Sequence, residues 1–84
     1  MINSAIIDGN KYIYFELLED TGKTQIWIVV NKTHGTNLGY ISWYGAWRQY
    51  TFHPADCTEF NNTCLVTITT FLNRLNKERR LSQS

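Results

Sequence analysis

Between Gly39 and Pro54 the chain reads Gly-Tyr-Ile-Ser-Trp-Tyr-Gly-Ala-Trp-Arg-Gln-Tyr-Thr-Phe-His-Pro, two runs rich in aromatic residues on either side of a Gly-Ala pair. Bulky residues alternating on both sides of a small turn predict an antiparallel hairpin, with strands over Leu38 to Tyr44 and Trp47 to His53. Pro54, the only proline, removes a ladder donor and ends the second strand. A chain of 84 residues buries only about 60 to 65% of its unfolded surface, so large side chains must fill its one core. Three Trp, five Tyr and four Phe supply them, and the core is expected to be aromatic rather than aliphatic.

Further β-prone segments precede the hairpin. Ile2 to Ile7 and Lys11 to Leu18 flank Asp8-Gly9-Asn10. An Asp-Gly pair in that position signals a tight turn, because glycine tolerates the positive φ such turns need. Tyr12, Tyr14 and Glu16 alternate with Ile13, Phe15 and Leu17, the period of a strand with two different faces. After a turn at Glu19 to Lys23, Thr24 to Val30 is nearly all β-branched or aromatic and predicts the most buried strand. Asn31 to Asn37 is a polar loop.

The last element is decided by period. Val66-Thr67-Ile68-Thr69-Thr70 suits a strand on propensity, yet Leu65, Ile68, Leu72 and Leu75 recur at three and four residues. Cys64 and Phe71 widen that stripe, which selects a helix. Asn61 stands at the cap, with Phe60 and Leu65 at the two positions of a hydrophobic staple. The expected architecture is therefore α+β: an antiparallel meander of about five strands, with one C-terminal amphipathic helix packed on one face. A single domain is expected over residues 1–76, followed by a flexible basic and polar tail over 77–84. The other face of the sheet is left open.

The formal charge of +1 points to neither nucleic acid nor membrane, but its distribution is uneven. Lys11, Lys23, Lys32 and Arg48 stand against six acidic residues up to position 73, whereas Arg74, Lys77, Arg79 and Arg80 stand against Glu78 alone after it. Cations that favour the negative end of a helix dipole account for this pattern. The N-terminus lacks the basic and apolar regions of a signal peptide, and no run reaches the length of a membrane span. A cytoplasmic setting is expected, in which Cys57 and Cys64 are thiols rather than a disulfide.

Candidate binding residues concentrate in the hairpin: Trp43, Tyr44, Trp47, Arg48, Tyr50 and His53. Trp, Tyr and Arg dominate protein interface hot spots, and a guanidinium stacks on rings or forks onto carboxylate and phosphate. The same types stack unpaired bases in single-stranded nucleic acid. A bland reading stands beside these: one set of aromatics forms core, the rest form cross-strand pairs, and Arg48 ties the sheet to Asp56 or Glu59.

Chemistry is less well supplied. His34 and His53 offer an acid–base pair for phosphodiester cleavage with Arg48 or Lys32 as charge stabiliser, but two histidines in one domain are commonplace. A metal set of His53, Cys57, Cys64 and His34 matches no zinc spacing, and no metal is expected. No cofactor motif is present, since Gly35, Gly39 and Gly45 are scattered turn residues.

The run Gly39-x-Ile41-x-Trp43-Tyr44-x-x-Trp47-Arg48-x-Tyr50-x-Phe52-x-Pro54, followed by Glu59-Phe60-Asn61 and the Cys64-Leu65 helix, resembles a family of small uncharacterised proteins of bacteriophages, prophages and plasmids. Relatives often carry Phe at the position of His53. The resemblance implies a mobile-element origin, where small proteins commonly bind and block a host or competitor macromolecule. Three readings follow. The first is a small non-enzymatic protein that engages a protein partner through the aromatic and Arg surface of its sheet, with no membrane involved and a homodimer open. The second is a single-stranded RNA or DNA binder with Lys32, Arg48, Arg74 and Lys77 on phosphates. The third is a small hydrolase built on His34 and His53.

Overall fold

The computed structural model describes residues 5–82. Strands β1 (Ile6–Asp8), β2 (Ile13–Asp20), β3 (Gln25–Asn31), β4 (Asn37–Tyr44) and β5 (Gln49–Pro54) precede a single helix, α1 (Asn62–Ser82). The five strands form one antiparallel sheet in chain order, β1-β2-β3-β4-β5. The fold is thus α+β, a meander with its helix last.

Pleating decides what faces the helix. Ile13 and Phe15 of β2, Trp27 and Val29 of β3, Ile41 of β4 and Tyr50 of β5 all point to one side and are buried. Cys64, Ile68, Phe71 and Leu75 of α1 meet them. Phe71 is the centre of this layer: its ring stacks on Phe15 with centroids 4.2 Å apart and meets Trp27 edge-on at 5.1 Å. The core is nevertheless mixed rather than chiefly aromatic as expected: of the twelve buried hydrophobic residues among those described, Phe15, Trp27, Tyr50 and Phe71 carry rings, and aliphatic residues make up most of the rest.

The helix begins as expected, because the Asn61 side-chain oxygen accepts the Cys64 N–H at 2.8 Å. Its seam, however, runs through Cys64 rather than Leu65, which is exposed. Phe60 turns its edge to Phe52, with centroids 5.4 Å apart. The helix also continues to Ser82 without a break at Lys77. Lys, Glu, Arg and Leu are strong helix formers, and Arg74 pairs with Glu78 one turn on at 3.3 Å.

The turns differ from expectation in instructive ways. Of the expected strand Ile2 to Ile7, residues 1–4 lie outside the described residues, and β1 spans Ile6–Asp8. Strand β2 starts at Ile13 because the Asn10 side chain accepts the N–H groups of Tyr12 and Ile13 and so holds residues 9–12 in a loop. Gly9 is not at positive φ; a Cβ there would lie 2.8 Å from the Ile13 carbonyl oxygen, so close approach is what requires glycine. The β4–β5 connection holds four residues, Gly45 to Arg48, and Trp43 pairs with Tyr50 and Tyr44 with Gln49. Arg48, not Gly45, takes the left-handed conformation (φ 55°), donating its N–H to the Tyr44 carbonyl at 2.9 Å.

Candidate functional site

The six hairpin residues divide among three places. Tyr50 is core: it is 5% exposed, its hydroxyl accepts the Gln25 N–H at 3.0 Å, and its own N–H donates to Asn76 at 2.7 Å. Its expected part in a binding surface is corrected on that ground, since a side chain sealed under the helix offers nothing to a second molecule. Trp43 shares this face, half-buried, edge-on to Tyr50 at 5.5 Å and with the Arg79 guanidinium 4.9 Å from its ring centroid.

Tyr44 and His53 lie on the opposite, open face. The His53 ring stacks on Tyr40 with centroids 4.6 Å apart and planes 14° from parallel, and its Nε2 lies 3.0 Å from the Thr51 hydroxyl. Strand register lines up Ile6, Glu16, Ile28, Tyr40 and His53 in one row across all five strands. Beside it are Tyr14, Ile26 and Val30, half-buried except for Val30, which is buried. Ile6 and Leu18 extend the apolar area at the β1–β2 side, both exposed.

Trp47 and Arg48 stand at the tip of the hairpin. Trp47 is 67% exposed, and its ring meets Tyr44 edge-to-face at 5.1 Å and 89°. A four-residue turn explains this exposure: Trp47 sits within the turn instead of in the strand, so no neighbouring strand covers it. Arg48 is exposed beside it and forms no ion pair with Asp56 or Glu59 among the described residues.

The hairpin's helix side opens on a second feature. A groove of about 560 Å³ runs between the turn and the C-terminal half of α1, lined by Trp43, Arg48, Asn76, Lys77, Arg79 and Arg80 among others and by no carboxylate. Sequence reasoning grouped Arg48 with Lys77 but missed Arg79 and Arg80, as it missed the Tyr40 and Ile28 row. The signals were the basic helix end and the alternation in β3, but only the packed helix brings the former to Arg48.

Other expected chemistry is not assembled. His34 is exposed in the β3–β4 loop and shares no hydrogen bond with His53. Cys57 is exposed and Cys64 buried, without a disulfide between them, and no cluster of three His, Cys, Asp or Glu able to hold a metal occurs among the described residues. Lys32 is paired with Asp8 and Arg74 with Glu78. At the β2–β3 turn the Gly22 N–H, followed by the Gln25 side chain, holds the Asp20 carboxyl below its ordinary range. No helix among the described residues is long and apolar enough to cross a membrane.

Over 75 residues the chain is 37% identical to a protein of Acholeplasma phage L2 described as an uncharacterized 9.3 kDa protein, a match that covers 88% of this chain and 96% of the relative. No protein-family model and no solved structure matches it.

Proposed function

Because the chain belongs to a family of small uncharacterised phage proteins, we propose that it is a non-enzymatic binding protein, which engages a host or phage protein in the cytoplasm through the open sheet face and the aromatic turn beside it. The observation that carries this reading is Trp47, an indole 67% exposed at the tip of the hairpin, against 45% for Tyr40 and 41% for Tyr44. Solvent exposure of so large an apolar group favours its burial against a second surface. Tyr44, which meets Trp47 edge-on, and the Tyr40–His53 stack extend the patch along the sheet with side chains already held in place. Little ordering entropy is then lost on association. Arg48 adds a guanidinium at the rim for a partner carboxylate.

Interface anchors of this kind typically lose at least about 2 kcal/mol on truncation, roughly a thirtyfold weakening. Capture from host lysate by the tagged full chain tests the reading. A discrete protein retained by the wild type and by Lys23→Ala, but lost with Trp47→Ala, supports it. Retention that is indifferent to Trp47 overturns it. Sedimentation of the purified chain separates self-association through the same face from binding of a different protein.

A further inference from the structure

The groove between the β4–β5 turn and α1 is chemically unlike the open face. Arg48 forms one wall and Lys77, Arg79 and Arg80 the other, over Trp43 and Asn76. Arg48, Lys77 and Arg80 are exposed and make no ion pair among the described residues, so their charges are not cancelled locally. Arg79 is held over the Trp43 indole, and Asn76 is held by its bond to the Tyr50 N–H. The groove thus combines a preset aromatic and amide floor with cations from two elements distant in sequence.

We infer that this groove binds the phosphate backbone of single-stranded nucleic acid. Several cations tracking one groove with aromatic and amide groups between them is the arrangement used for single strands, which need charge along the backbone and π-faces for the bases. The volume of about 560 Å³ falls within the roughly 300–1,000 Å³ of sites that enclose whole organic ligands, more than one bare anion requires. Arg48 from the turn and Lys77, Arg79 and Arg80 from the helix all line this one opening, so a strand lying in it is within reach of cations from both elements. This groove shares only Arg48 with the protein-binding face argued above, and it uses neither the Lys32 nor the Arg74 expected from sequence, since both are neutralised by carboxylates.

Fluorescence anisotropy of a labelled oligothymidylate of about twelve nucleotides, titrated with the full chain at several salt concentrations, tests the inference. Contact with three or four phosphates gives log K falling with log salt at a slope of about −2 to −3, at roughly −0.7 per phosphate. Replacing both Lys77 and Arg80 by Gln keeps good helix formers at exposed positions, and is expected to flatten that slope by about 1.4 and to weaken binding about tenfold or more. Arg48→Asn provides a second variant that tolerates the left-handed turn and flattens the slope by about 0.7. The proposal is overturned if binding is absent at about 50 mM salt or if these variants leave the slope unchanged. It is likewise overturned if duplex DNA, polyglutamate or inorganic phosphate competes as well as the single strand.

Discussion

The backbone N–H of Tyr50 donates to the side-chain oxygen of Asn76 across 2.7 Å, so that a helix residue satisfies a donor on the outer edge of the last strand. An exposed edge is a template for unwanted pairing, and covering it with a helix side chain blunts that tendency while fixing the helix against β5. Asn76→Ala leaves this donor without its acceptor. The expected loss is about 1–3 kcal/mol, read as a lower urea midpoint at unchanged slope. Asn76→Asp, which keeps an acceptor, should retain most of the stability; an Ala variant as stable as wild type would show that the bond contributes nothing.

Gly39 has φ 147°, and a Cβ there would meet the His53 carbonyl oxygen at 2.4 Å and both Phe52 Cε1 and Pro54 Cα at 2.9 Å. Two of those atoms are backbone, so they cannot swing away. For Gly39→Ala, backbone strain of about 1–2 kcal/mol adds to overpacking of about 1–3 kcal/mol. Thermal unfolding should move down by more than about 8 °C, at some 4–8 °C per kcal/mol for a domain of this size. A shift under about 2 °C would mean that β4 and β5 part easily at this point.

Trp47→Ala should be nearly silent for folding. Its ring loses one edge-to-face contact, with Tyr44, and otherwise faces solvent. The expected cost is below about 1 kcal/mol. Chemical denaturation measures it, and a much larger loss would place the indole in the packed interior and remove the case for a docking role.

How far these sites are visible in the sequence depends on parity and distance. Two-residue and four-residue turns differ by two positions in register, so Trp43 shares a face with Tyr50 and Phe52 in either case; alternation alone reveals the faces but not the partners. That is why the turn's length, and with it the place of Trp47 inside the turn, is missed. The helix seam is off by one position for a different reason. Leu65 is more hydrophobic than Cys64, yet Cys64, Ile68, Phe71 and Leu75 are the set that one face can present together. The cationic groove is legible only in the pairing of Arg48 with Lys77, because Arg48 and Arg80 become neighbours only when α1 docks.

Acid should loosen the β2–β3 turn. The Gly22 N–H and, secondarily, the Gln25 side chain stabilise the charged form of Asp20, so its folded pKa lies below the ordinary value of 3.8. A depressed carboxyl contributes stability above the unfolded value and loses it as pH falls through the folded one. Amide protection at Gly22 is therefore expected to hold above about pH 4 and decline below it. Asp20→Asn should abolish that decline, and a pH-independent Gly22 amide in the wild type would contradict the assignment.

The order of elements along the chain has a consequence for synthesis. Each strand bonds to the one made just before it, so pairing can proceed as residues leave the ribosome, with little entropy lost in closing loops. The helix that seals the aromatic layer is made last. Until it arrives, Phe15, Trp27 and Ile41 have only water to face, and a nascent or prematurely terminated product is sticky on both sides of its sheet. A stop codon that removes α1 should thus leave the aromatic layer uncovered however well the five strands have paired.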